Sequence, residues 1–167
     1  DRPIELSIQK KLQSIALNST GSKLLTGDIY GVINLWDLTL PNQRPQEFLD
    51  HVSTITSLAF SPNDSVFASS SYDNTIRIWN IKNPNQNPII ISDHDSWVMD
   101  IEFSSNGNQL VSAGNDKTIR LFEVNPDLLS SKVCDLVDRN LSMDEWESFV
   151  GKDVEYQNTC TLITSKR

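Results

Sequence analysis

A stretch of 31 residues occurs twice in this chain, 43 positions apart. Residues 51–81 read HVSTITSLAFSPNDSVFASSSYDNTIRIWNI and residues 94–124 read HDSWVMDIEFSSNGNQLVSAGNDKTIRLFEV, with ten identities in the ungapped overlay. Moving back another 43 positions reaches residues 8–38, IQKKLQSIALNSTGSKLLTGDIYGVINLWDL, where Trp36 falls beneath Trp79 and the apolar pattern persists. A period held twice without a gap means that one structural unit is built three times. Each unit then buries its apolar faces on its neighbours.

Within a unit the apolar runs are short, alternating and punctuated by turns. Leu12 to Leu17, Leu24 to Thr26 and Val32 to Trp36 read as three strands of the first unit. Ile55 to Phe60, Val66 to Ser70 and Thr75 to Trp79 repeat them, as do Val98 to Phe103, Gln109 to Ser112 and Thr118 to Phe122. Turn clusters at Asn18–Gly21, Ser61–Asp64 and Ser104–Gly107 separate the first two strands of each unit. A fourth strand fits between units, at Gln46 to Leu49 and Pro88 to Ile91, and Ile4 to Ile8 would precede the first unit. Four short antiparallel strands per period are the signature of a propeller blade. The expected fold is all-β: a partial β-propeller of about three four-stranded blades over residues 1–124.

Two units share the pattern His…Ser-x-x-x-Asp-x-Thr-Ile-Arg-x-Trp or Phe, and Trp36-Asp37 closes the first unit. On these residues the chain resembles the WD-repeat β-propellers over residues 4–124. The resemblance implies a buried hydrogen-bonded set of His51, Ser69, Asp73 and Trp79 in the second unit. A carboxylate accepts from an imidazole, the imidazole takes a hydroxyl proton, and the hydroxyl accepts from the indole. The third unit offers His94, Ser112 and Asp116, but Phe122 has no N–H to give. The first unit keeps Thr26 and Trp36 while Ile8 and Tyr30 take the His and Asp places, so its blade is expected to rely on packing alone.

Histidine, serine and aspartate in one repeat also suggest nucleophilic catalysis. The same trio 43 residues later favours a repeated structural role. There is no phosphate-binding loop, no Cys/His cluster with zinc spacing and no calcium loop, so no metal or cofactor is expected. The formal charge of −8 speaks against a nucleic-acid partner, which would need a basic face. No run approaches eighteen apolar residues, so no membrane-spanning helix and no membrane partner is expected. Two cysteines, Cys134 and Cys160, are too few for a disulfide scaffold. The resulting expectation is a cytoplasmic setting, which disfavours a disulfide, while the redox state of the two thiols stays open.

After Val124 the pattern changes. Pro126 opens an apolar spacing through Leu136, and Ser142-Met143-Asp144-Glu145 is a capping-box pattern ahead of Trp146 and Phe149. Two short helices packed on the propeller are expected over residues 125–167. Arg139 to Ser142, Glu145-Trp146, Tyr156 and Thr159-Cys160 resemble the ends of long bacterial WD-repeat proteins. That resemblance implies a C-terminal piece of a larger protein.

The resemblance further implies a non-catalytic scaffold or sensor that binds a protein partner through one propeller rim. Its mapped positions lie three and five residues after the His site and one before the turn Asp. In the third unit they are Trp97, Met99 and Asn115. In the second they are Thr54, Thr56 and Tyr72, and in the first Lys11, Gln13 and Ile29. Exposed Trp, Met and Tyr compose an interface core; alternatively, Trp97 covers its own blade. Two other functions stay open: a structural piece that closes the ring as a homo-oligomer, and a propeller enzyme with acidic channel residues.

Overall fold

The computed structural model describes residues 6, 8, 10–40, 42–125, 129, 140, 142–144 and 160. The chain divides into two compact units, Asp1–Phe122 and Glu123–Arg167.

The first unit is a succession of antiparallel sheets. Blade 1 holds β1 (Leu12–Leu17), β2 (Lys23–Asp28), β3 (Ile33–Asp37) and β4 (Gln46–Phe48), hydrogen-bonded in that order. Blade 2 repeats the order with β5 (Ile55–Phe60), β6 (Val66–Ser71), β7 (Ile76–Asn80) and β8 (Ile89–Ile91). Blade 3 has β9 (Val98–Phe103), β10 (Gln109–Gly114) and β11 (Ile119–Glu123), with no fourth strand among the described residues. The chain is thus an all-β partial propeller. Leu6 and Ile8 lie outside any strand. The rest of the segment expected as an N-terminal strand lies outside the described residues.

The period of 43 extends to the backbone dihedrals. Gly21, Asp64 and Gly107 have φ of 68°, 54° and 72°, and Gly31, Asn74 and Lys117 have 88°, 67° and 66°. Both sets sit in the hairpin turns, where the chain must reverse through the left-handed region. Each first strand also carries a bulge at one position. The register skips Gln13 between Leu12 and Ser14, Thr56 between Ile55 and Ser57, and Met99 between Val98 and Asp100.

Strand alternation gives every blade two faces. One face of blade 1 carries Leu25, Ile33, Leu35 and Phe48. It packs on Ile55, Leu58, Phe67 and Trp79 of blade 2 in one buried cluster. Phe48 meets Phe67 and Trp79 edge-on, at centroid distances of 5.0 and 5.4 Å. Ile76 and Ala68 are buried on the far side of blade 2, and Val98, Ile101, Phe103 and Leu110 are buried in blade 3. Polar bonds cross the boundaries too. Ser14 Oγ donates to the Ile55 carbonyl at 3.3 Å and Thr56 Oγ1 to the Val98 carbonyl at 2.6 Å. Below them, Asn18 Nδ2 and Ser19 Oγ donate to Asp64 Oδ2 at 3.1 and 2.6 Å, tying the first turn of blade 1 to that of blade 2.

In the second unit, Leu129, Met143 and Asp144 are helical. The remainder of the two expected helices lies outside the described residues. The Asn140 side chain brackets Cys160, accepting from its N–H at 2.8 Å and donating to its carbonyl at 3.2 Å. Cys160 is disulfide-bonded, the state that the expected cytoplasmic setting disfavours and that the sequence left open. A cysteine count reports on average chemistry and cannot register which sulfurs the chain brings together.

Candidate functional site

Blade 2 holds a four-residue chain of hydrogen bonds. The Asp73 carboxylate only accepts, so His51 Nδ1 carries the proton and donates to Oδ2 at 2.7 Å. In the neutral ring Nε2 is then an acceptor, and Ser69 Oγ donates to it at 2.8 Å. The Ser69 oxygen in turn accepts from Trp79 Nε1 at 2.8 Å. Asp73 Oδ1 takes the Thr75 N–H and hydroxyl at 3.0 and 2.6 Å, closing the β6–β7 turn. Burial pushes the Asp73 carboxyl up, but hydrogen bonds from His51 and Thr75 hold it down at about 2.

Blade 3 has the same chain, shortened. His94 Nδ1 donates to Asp116 Oδ2 at 2.8 Å, and Ser112 Oγ donates to His94 Nε2 at 2.7 Å. Phe122 supplies no donor, so the chain ends at the serine. Asp116 is opposed by desolvation, yet bonds from Thr118 and His94 hold its carboxyl well below the usual range. The arginine of each Thr-Ile-Arg run goes to a different carboxylate. Arg77 pairs with Asp50, whereas Arg120 Nη2 reaches back 3.6 Å to Asp116.

Blade 1 is not held by packing alone, which corrects the sequence expectation. Trp36 Nε1 donates to Thr26 Oγ1 at 3.0 Å. With Tyr30 unable to close the turn, Asp28 does so from two residues upstream. Its Oδ1 accepts from Tyr30 N at 2.8 Å and Val32 N at 2.9 Å, and Lys10 lies 3.6 Å from Oδ2. Sequence reasoning passed over Asp28 because it stands off the repeat position. The carboxylate needs only to reach the turn's N–H groups, and it does so from position 28 as well as from position 30.

These sets can hold blades together, but they are poor catalytic centres. A nucleophile must touch its substrate. Ser69 and Ser112 are buried, and the Ser69 oxygen already accepts an indole N–H. Among the described residues, no group of three or more His, Cys, Asp or Glu side chains is placed to hold a metal ion. No helix there is long and apolar enough to cross a membrane.

The rim positions form a second constellation. In each blade the first strand's approach binds the second strand's exit. Ile29 N donates to the Lys11 carbonyl, Tyr72 N to that of Thr54, and Asn115 N to that of Trp97, at 3.3, 3.0 and 2.8 Å. Contacts also run from each blade to the next. Thr54 Oγ1 donates to the Ile29 carbonyl at 3.1 Å, and the Tyr72 ring stacks on Trp97 with centroids 4.6 Å apart. Trp97 therefore covers the preceding blade's tyrosine and leaves about half of its surface, 48%, exposed. Gln13, Thr56 and Met99 are the bulged residues, and a bulge re-aims its side chain out of the ladder. Thr56 spends its hydroxyl on Ser70 and the Val98 carbonyl. Gln13 and Met99 stay exposed, as do Lys11 and Asn115. Tyr30, which the mapping omitted, is another exposed aromatic.

Comparison with protein-family models matches WD40, the WD domain or G-beta repeat, at residues 42–80 and 86–123. The first match spans β4 of blade 1 and β5–β7 of blade 2. The second spans β8 of blade 2 and β9–β11 of blade 3. Each sequence repeat thus contributes the outer strand of one blade and the inner three of the next. No curated protein matches the chain.

Proposed function

Because this chain belongs to the WD-repeat family, we propose that it is a non-catalytic protein-recognition module, a scaffold or sensor whose partner docks on the rim. The single observation behind this reading is the half-exposed Tyr72–Trp97 stack beside the bulged, exposed Met99. Large rigid aromatics lose little conformational freedom on binding, and methionine adapts to varied partners. The formal charge of −8 suits a protein partner better than a nucleic acid. The proposal includes no catalytic step and no cofactor.

The test compares capture of a partner by the wild type and by a Met99→Ala, Asn115→Ala double variant. Both side chains are exposed, so the fold should be untouched while capture falls at least tenfold. Unchanged capture by the double variant contradicts the rim as the binding surface.

A further inference from the structure

The half-exposed indole of Trp97 stands in a segment whose carboxylates have no cation. From Asn83 to Asp116 the chain carries Asp93, Asp95, Asp100, Glu102 and Asp116, and no lysine or arginine. Asp93, Asp95 and Asp100 are exposed and flank Trp97 on both sides. The repeat itself supplies the comparison. In blade 2, Asp50 takes the guanidinium of Arg77. At the positions 43 residues on, Arg120 turns back to Asp116 at 3.6 Å and leaves Asp93 without it. Among the described residues no ion pair reaches Asp93, Asp95 or Asp100, and Lys117 in the β10–β11 turn pairs with none of them.

This segment is held in place before any partner arrives. Asp95 N donates to Asp116 Oδ2 at 3.2 Å, Asn115 Nδ2 to Ser96 Oγ at 3.3 Å, and Asn115 N to the Trp97 carbonyl at 2.8 Å. Tyr72 stacks on the indole from the preceding blade. Such pinning lowers the ordering cost of binding. An exposed indole attracts a cation through its ring electrons, and unpaired carboxylates beside it strengthen the attraction. An aromatic seam alone would name no ligand, and neither would acidic side chains alone. Together they select a cation with a flat face. We propose that the partner is a peptide segment that presents an arginine to Trp97. Its guanidinium extends the Tyr72–Trp97 stack, its N–H groups face the carboxylates of Asp93 and Asp95, and Met99 receives the apolar side chains beside it in the partner's chain. Arginine fits better than lysine because its charge is planar, forked and weakly hydrated. The inference rests on the rim reading above and names the chemistry that the rim takes.

The test uses short synthetic peptides that differ only in a central arginine, lysine, glutamine or glutamate, set in several flanking sequences and titrated against the full chain. Arginine peptides should bind roughly tenfold tighter than their glutamine counterparts, the size of a partly desolvated cation–π contact. Lysine should fall between them and glutamate should be weakest. The arginine advantage should shrink as salt rises. Asp93→Asn combined with Asp95→Asn, both at exposed positions, should remove most of that advantage, and so should Trp97→Leu. Circular dichroism checks that each variant is folded, and Trp97→Phe, a weaker ring that keeps the stack, replaces Trp97→Leu if that variant is not. Equal binding of arginine and glutamine peptides overturns the proposal. So does a lysine or glutamate series that binds best, an arginine preference untouched by these variants, or no binding by any peptide. Partner capture by the Met99→Ala, Asn115→Ala variant is a separate readout. Capture lost there without any arginine preference overturns this inference and leaves the rim reading in place, and the reverse pattern overturns the rim reading instead.

Discussion

Tyr72 of blade 2 stacks on Trp97 of blade 3, with ring centroids 4.6 Å apart and planes 29° from parallel. The pair bridges two repeats at the surface where recognition is proposed. It gives Trp97 two roles, as a seam between blades and as exposed contact area.

The seam has a measurable consequence. An aromatic pair contributes about 0.5–1.5 kcal/mol beyond its buried area. Tyr72→Ala and Trp97→Ala should each lower stability modestly, and a double-mutant cycle should return a coupling in that range. A coupling of zero in denaturant melts would show that the rings do not support one another.

The buried chain in blade 2 predicts an order of damage. Trp79→Phe leaves the Ser69 oxygen without its indole donor, at a cost of about 1–3 kcal/mol. Asp73→Ala should cost more, because it strips both the β6–β7 turn and the His51 ring of their acceptor. Asp116→Ala should cost less than Asp73→Ala, since Phe122 has already shortened that network. Thermal melts with the two aspartate variants in reverse order would contradict the assignment.

Acid should weaken the fold through the same carboxylate. Asp73 has a folded pKa of about 2, against about 3.9 for an unfolded aspartate. The folded state therefore binds this proton less readily than the unfolded one. Stability from the group is complete above about pH 4 and is lost as pH falls through about 2. Chemical denaturation at stepped pH should record that fall, and Asp73→Asn should flatten it.

Gly31 occupies a position that other residues cannot share. Its φ is +88°, and an added Cβ would run into the His51 carbonyl oxygen of blade 2. Left-handed strain alone costs roughly 1–2 kcal/mol, and the obstacle is backbone, which cannot swing aside. Gly31→Ala should lower stability by more than about 2 kcal/mol. A melting temperature equal to the wild type would mean that the blade 1–blade 2 boundary is looser than described.

Much of the fold was legible because a repeat checks itself. Strands read from Ile55–Phe60 and Val98–Phe103 fall where β5 and β9 lie, since alternation and turn residues recur at the same offset. Asp28 was not legible: a side chain that closes a turn from two residues upstream leaves no mark in a register that expects its carboxylate at position 30. The bulges at Gln13, Thr56 and Met99 were hidden as well, because a one-residue pairing slip changes hydrogen bonding without changing residue type. Nor could sequence alone reveal the Tyr72–Trp97 stack, which depends on how two blades abut.

The most direct test of rim recognition is site-specific photo-crosslinking in cells. A photoreactive residue would replace Met99 on the rim or, as a control, the still more exposed Ile89 on outer strand β8. Recognition at the rim predicts one discrete adduct with a different protein from position 99 and none from position 89. Adducts from position 89 alone, or the same adduct from both positions, would contradict it.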